Sequence, residues 1–443
     1  MRTAYLETYG CQMNLNETDV LGRRLAERGI TLVDAPENAD LVLLNTCSIR
    51  EHAESKVLSR LGVLRRLKGN GHRPLLGVTG CMAQRLGGEF LVRAPFLDLV
   101  VGSGAYPRFF ETLEARLATG RPQVDVGFAQ DFTQEDRPDI PPGGVKTFIT
   151  IIRGCDNACR YCIVPFTRGP ERSKPMGQIL REAAWCVEQG VREITLLGQN
   201  VNHYKDGEFG LAECLRLTAG VEGLERVRFT TSHPGYMTDD VLTAMAEDPK
   251  IMPHLHLAMQ SGSSRVLAAM NREYTWEGYR ALVVRARELM PDLALSTDVI
   301  VGYPGETEED FLATVRALEE IRFDSAFLFK YSPRRGTVAA GLPDDVPPQE
   351  KQRRLAAVIE LQRAITDLRS LRFVGREVEV LVDGTSPRDP GTVVGKTREF
   401  KNAVFPGTPS WVGTLRRMRV VEARGVTLLG HSENGRPVAA GAV

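Results

Sequence analysis

The feature that most restricts the fold is a rhythm. From residue 1 to about 120, short apolar runs (TAYLETYG, DLVLLNTC, PLLGVTGC and LDLVVGSG) alternate with helix-like stretches such as Thr18 to Arg28 and His52 to Leu67. Near-continuous apolar strands must be covered on both faces, so the pattern predicts an open parallel α/β sheet between layers of helices. The stretch RPQVDVGFAQDFTQEDRPDIPPGG is acidic and rich in proline and glycine, and it reads as a linker over 121–144. The rhythm then restarts with KTFITIIRGC, REITLLGQNV, RVRFTTSHP, PHLHLAMQSGS, LALSTDVIVGY and DSAFLFKYSP, each followed by a helical stretch. Six such units over 145–372 predict a partial (β/α)6 barrel, two units short of the full form. Thr307 and Asp310 supply the capping box of one of its helices. Over 373–436 short strands and glycine turns take over, predicting a small β-barrel.

Composition narrows the partners. The chain carries 56 basic and 56 acidic residues, so it is not a polycation that grips nucleic acid along its whole length. From 371 to 443, however, 11 basic residues face 7 acidic ones, a local excess of four. The start, MRTAYLETYGC, shows no signal peptide, and no stretch is apolar enough to span a bilayer, so a cytoplasmic protein without a membrane partner is expected. Disulfides are an unexpected use for eight cysteines in that compartment, and metal or redox chemistry is the better explanation.

Three of the cysteines form a local motif. RGCDNACRYCIVP places Cys155, Cys159 and Cys162 in C-x3-C-x2-C spacing directly after the first barrel strand. Three thiolates this close hold three corners of an iron–sulfur cube and leave the fourth iron open. The loop also lies at the carboxyl end of its strand, where barrels carry their chemistry. The alternatives are a structural zinc knuckle, for which no fourth ligand is nearby, or buried free thiols. Cys11, Cys47 and Cys81 are too far apart for a local motif, but each ends or follows a predicted strand (YGC, NTC, TGC). In an open parallel sheet such ends converge, so a second three-thiolate set is expected. Small buried residues that pack loops are the alternative. Cys186 and Cys214 sit within predicted helices and read as core.

The cysteine loop resembles the signature of radical S-adenosylmethionine enzymes. More widely, TYGCQMN, NTCSIR, GCMAQ, RGCDNACRYCIVPFTRG, LLGQNVNHY, FTTSHP, QSGSSRVLAAMNREYT and DVIVGYPGET make the chain similar to the methylthiotransferase family, with a C-terminal region resembling the TRAM domain. The resemblance implies two [4Fe-4S] clusters, one on each cysteine triad, and two uses of S-adenosylmethionine, as methyl donor and as source of a 5′-deoxyadenosyl radical. GCQMN and LGQNVN resemble the branch acting on isopentenylated adenosine at position 37 of tRNA, beside the anticodon. The resemblance further implies an electron donor such as flavodoxin or ferredoxin, and a sulfur or cluster carrier. Methylthiolation of another substrate, either a ribosomal-protein aspartate or threonylcarbamoyladenosine, and a non-catalytic iron–sulfur RNA-binding regulator are the competing readings.

Other site residues follow from position. Tyr161 matches the family's aromatic position beside the adenine of the cofactor. Gln199, Asn200, Ser232, Gln260, Ser261, Asp298 and Val299 lie toward carboxyl strand ends, where a barrel holds its cofactor; polar loop capping is the alternative for them. His254 and His256 alternate on one strand and read as core or pocket residues. For RNA, basic residues for phosphates lie beside aromatics that can stack on unpaired bases: Lys396, Arg398 and Lys401 with Phe400, then Arg416, Arg417 and Arg419 near Trp411. Solvated charges around a small barrel are the alternative. Phe400 stands where the family carries asparagine.

Overall fold

The structure is a computed structural model that describes residues 1–48, 51–69, 74–129, 132 and 137–432. Ile49 and Arg50 of the NTCSIR motif, and 433–436 of the expected small barrel, lie outside the described residues. The first unit is a parallel sheet of β1 (Thr3–Tyr9), β2 (Thr31–Leu32), β3 (Leu41–Thr46), β4 (Leu75–Thr79), β5 (Leu99–Gly102) and β6 (Gln123–Asp125). Its order is β2-β1-β3-β4-β5-β6. Separate apolar cores cover its two faces, one around Leu44, Val78 and Phe90, the other around Leu25, Leu43 and Phe109. The stretch expected to serve only as a linker therefore contributes a sixth strand, with Val124 paired to Val100. Three residues are too few for a periodicity to mark.

The second unit contains β7 (Lys146–Thr150), a short ribbon of β8 (Ile152–Arg153) with β9 (Arg172–Ser173), then β10 (Glu193–Leu197). After the hairpin β11 (Lys205–Asp206) and β12 (Phe209–Gly210) come β13 (Arg226–Phe229), β14 (His254–His256), β15 (Ala294–Val301) and β16 (Ser325–Lys330). β7, β10 and β13 are parallel neighbours, as are β14, β15 and β16. Bridges from Val227 to Ile251 and from Ser232 to Leu257 join the two halves into one six-stranded arc. The two-residue period of a strand sorts its faces. Ile194, Leu196, Val227, Phe229, Leu255 and Leu257 turn outward into the main core beneath the helices. Their alternates Glu193, Arg226, Arg228, His254, His256, Ser296 and Asp298 line a polar interior. The capping box at Thr307 and Asp310 opens helix Glu308–Ile321 as expected.

Helix Pro348–Leu371 leads to a closed barrel of β17 (Glu377–Ser386), β18 (Asp389–Thr397), β19 (Asn402–Pro406), β20 (Leu415–Arg424) and β21 (Thr427–Ser432), filled by Val380, Val393, Phe405 and Met418. It docks on the amino ends of the arc, the end opposite the cysteine loop. Buried Arg226 donates to the carbonyl of Lys396 (2.7 Å) and to Glu379 (2.9 Å). Arg228 donates to the carbonyls of Thr397 (2.7 Å) and Arg398 (2.9 Å). Among the described residues no helix is long and apolar enough to cross a membrane.

Candidate active site

The first-sheet cysteines follow three adjacent strands: Cys11 after β1, Cys47 after β3 and Cys81 after β4. Chain order reverses between β1 and β3, and ligands of open α/β sheets gather in the crevice at such a switch point. Cys11 caps helix Gln12–Ala26, with its backbone N–H on Asn14 Oδ1. Asn14 in turn donates to Asn45 Oδ1 (2.9 Å), and Asn45 returns a bond to the Asn14 carbonyl (2.8 Å). Thr46 Oγ1 donates to the Thr79 carbonyl, so buried polar side chains tie the three cysteine turns together. Gly80 is required beside Cys81: at φ +89 an added Cβ would meet the Thr46 carbonyl at 2.4 Å. Cys47 and Cys81 are buried, and burial pushes the Cys81 thiol up to about 12, with Arg168 opposing and Cys47 and Cys11 adding to the shift.

The second triad hangs between β8 and β9. Gly154, at φ +79, lets this loop pass the Pro170 carbonyl, which an added Cβ would approach to 2.1 Å. Gly154 also donates its N–H to Gln199 Oε1 (2.7 Å), which fixes the loop to the end of β10. Burial pushes the Cys155 thiol up to about 11 and the Cys162 thiol up to about 12, with Cys159 adding to both. Among the described residues no three His, Cys, Asp or Glu side chains stand close enough to chelate a single ion. Three thiols in each set are the donor chemistry that suits three irons of a cube, which takes cysteine as thiolate. The two remaining cysteines, Cys186 and Cys214, are fully buried in the main core, so neither supplies a fourth thiol to a triad.

Around the second triad, Asn200 and Ser232 carry buried side-chain polar atoms with no hydrogen-bond partner among the described residues, at the carboxyl ends of β10 and β13. Such orphaned groups at a strand end suit a polar ligand. Gln260 takes φ +66 and pairs through its backbone with Asp298 and Ile300. Asp298 faces the interior beside His256 (3.2 Å). His233 is held neutral by burial and by Arg272, its ring lowered to about 3.

Other expected residues are engaged elsewhere. Val299 points its side chain into the core. Ser261 Oγ bonds Thr314 and the N–H of Ser263. Tyr161 packs against the small cluster of Val266, Met270, Tyr303 and Tyr331. In the small barrel, Lys401 is buried on Ser370 (3.1 Å) and Asp324 (3.5 Å) and so does not face solvent. Phe400, at φ +66, stacks on His254 with ring centres 4.8 Å apart, and Lys396 lies 4.4 Å from its ring centre. That stacking replaces what asparagine's tolerance of a left-handed backbone would supply. Arg398 borrows the docking contact through its carbonyl, whereas Arg417 and Arg419 are exposed on β20 and Arg416 lies over Trp411 (4.7 Å).

Two arginines complete the site and lie in motifs whose charge carried no separate signal. Arg272 Nη1 donates to Cys159 Sγ at 3.3 Å. Arg168 Nε donates to Cys81 Sγ at 3.1 Å and its Nη1 pairs with buried Glu17. Helix Val164–Arg168, which starts two residues after Cys162, thus connects the two triads directly.

These features define a radical S-adenosylmethionine enzyme with an added cysteine sheet and an added small barrel. Residues 149–318 match the Radical SAM superfamily, 3–102 the uncharacterized protein family UPF0004, and 371–432 the TRAM domain. The structure resembles the radical S-adenosylmethionine methyltransferase TsrM of Kitasatospora setae, solved with cobalamin and a [4Fe-4S] cluster (TM-score 0.56, 13% identity, 76% of this chain and 74% of that one). Closer in sequence are proteins named tRNA-2-methylthio-N(6)-dimethylallyladenosine synthase. That of Acidovorax sp. (strain JS42) is 43% identical over 97% of both chains. That of Moorella thermoacetica is 41% identical over 98% of this chain and 99% of its own. The chain belongs to the tRNA-2-methylthio-N(6)-dimethylallyladenosine synthase family.

Proposed function

We propose that the chain is a cytoplasmic methylthiotransferase that converts N6-isopentenyladenosine at position 37 of tRNA into its 2-methylthio derivative. The observation that carries this reading is the pair of cysteine triads at the carboxyl ends of two separate parallel sheets, in a chain similar end to end to relatives named for that product. When bound, two [4Fe-4S] clusters and S-adenosylmethionine supply the sulfur, the methyl group and the one-electron chemistry that an aromatic C–H without useful acidity requires. The protein binds, orients and excludes water. Cys155, Cys159 and Cys162 hold one cluster, and Cys11, Cys47 and Cys81 the other. Gln199 locks the first loop through Gly154, while Asn200 and Ser232 offer their unpartnered groups to the cofactor. Asp298 and His256 present a polar interior to the adenine. Exposed Arg417 and Arg419, with Arg416, hold tRNA phosphates. An electron donor such as flavodoxin or ferredoxin and a sulfur or cluster carrier complete the cycle.

Mass spectrometry of tRNA from a deletion strain tests the substrate. The methylthio group of isopentenylated adenosine should vanish and return with the wild-type gene; its persistence would refute the proposal. The Cys11→Ala variant should still form 5′-deoxyadenosine under reducing anaerobic conditions yet insert no sulfur. Full insertion by that variant would exclude Cys11 from the sulfur site.

A further inference from the structure

Each cysteine triad receives one buried arginine, but the two arginines differ in what balances them. Arg272 bonds Cys159 Sγ, the Tyr274 hydroxyl and the Ala258 carbonyl, and among the described residues it pairs with no carboxylate. Arg168 bonds Cys81 Sγ and is paired with Glu17, both side chains being 5% exposed. Its remaining nitrogen, Nη2, is buried without a partner among the described residues, as is Glu17 Oε2. A buried carboxylate and guanidinium in contact largely cancel at a distance, so the first-sheet site feels a dipole where the second feels a full positive charge. Adding an electron to a cluster is easier beside a positive charge and harder beside a negative one, because hydrogen bonds and charge at the sulfurs set cluster potentials.

We propose that Arg168 and Glu17 together form the positioning pair of the first-sheet cluster: Arg168 holds Cys81 and lends positive charge, and Glu17 attenuates it, keeping this cluster harder to reduce than one beside an unbalanced arginine. The inference rests on the two-cluster reading. Neither residue touches the reacting carbon. Their role is to keep electrons directed to the triad of Cys155, Cys159 and Cys162, while the triad of Cys11, Cys47 and Cys81 stays available for sulfur.

The test uses the full chain with Cys155, Cys159 and Cys162 replaced by alanine, reconstituted anaerobically so that only the first-sheet cluster assembles. Iron and sulfide are counted, and the reduced cluster is titrated by electron paramagnetic resonance. In this background Glu17→Gln should raise the midpoint potential and Arg168→Gln should lower it. Each should change the reduced-to-oxidised ratio at fixed potential by about tenfold or more, which is ~59 mV for a one-electron couple. The double variant should return toward the parent, and Arg168→Lys, which keeps the charge, should stay within a factor of three of it. Opposite signs are the signature, because a packing defect would not reverse direction with the charge removed. Shifts of the same sign, or no shift beyond threefold, would overturn the inference. So would loss of the cluster from the nearly isosteric Glu17→Gln variant, which would make the pair purely structural. A parent protein that takes up no iron would overturn the two-cluster reading itself.

Discussion

Replacing Arg228 with methionine probes what holds the small barrel in place. The Arg228 side chain is buried, donates to two carbonyls of the 397–398 turn at 2.7 and 2.9 Å, and pairs with Glu193 at 3.0 Å. Methionine occupies much of the same space and adapts its shape, so the loss is mainly polar. The Arg398 carbonyl, left without a donor in a closed interface, costs about 1–3 kcal/mol, and the Thr397 carbonyl, which keeps the Phe400 N–H, loses about 1 kcal/mol more. Glu193 keeps Arg226 at 3.9 Å. A net loss of about 3 kcal/mol is therefore expected, close to two decades in the docking equilibrium at ~1.4 kcal/mol per decade. Hydrogen exchange reads this directly. The amides of Thr397, Phe400 and Lys401 should exchange about a hundredfold faster in the Arg228→Met variant, while those of β3 and β4 keep their protection. Unchanged exchange in the turn, or equal acceleration across the whole chain, would refute the reasoning.

The Gly154→Ala variant forces a side chain onto backbone oxygens at 2.1 and 2.5 Å at a positive φ. It should lose about four of about eight irons while the first-sheet cluster remains, as iron and sulfide analysis would show. Burial and the nearby charge of Asp139 raise Asp19 to about 7. The unfolded chain gives up this proton near the ordinary carboxylate value and the folded chain only near 7. Stability should thus fall as pH rises through that window, by up to ~1.4 kcal/mol per pH unit. Urea midpoints at pH 5 and 7 should lose this difference in Asp19→Asn; an unaltered slope would contradict it. Exposed Arg417→Ala should reduce the salt dependence of tRNA binding by about one counterion. Buried Lys401→Met should leave that slope unchanged, and the reverse order would show that the RNA face has been misassigned.

Much of this was legible locally. The alternation of apolar runs with helices announced both parallel sheets, and the C-x3-C-x2-C spacing needed no tertiary information to mark a candidate site loop. The placing of Cys11, Cys47 and Cys81 just after three strands of one sheet was legible in the same way. What escaped depends on pairings between distant segments. β6 exists because β5 offers it an edge, and the composition of the stretch gives no hint of that. Lys401 looks like any basic loop residue until docking buries it on Asp324, 77 positions earlier in the chain. Arg168 and Arg272 stand in conspicuous motifs, yet their thiol partners are 87 and 113 residues away. No window on the sequence spans those distances.

The small barrel sits at the amino ends of the arc and the cysteine loop at the carboxyl ends. β15, with eight residues at about 3.3 Å each, sets their separation at ~26 Å. A substrate engaging both ends at once is measured as if by a ruler. A free nucleoside reaches only the mouth, and a short loop reaches one end without the other. A stem long enough to bridge them gains the second contact as an intramolecular event, with affinity rising by orders of magnitude and no new recognition of bases.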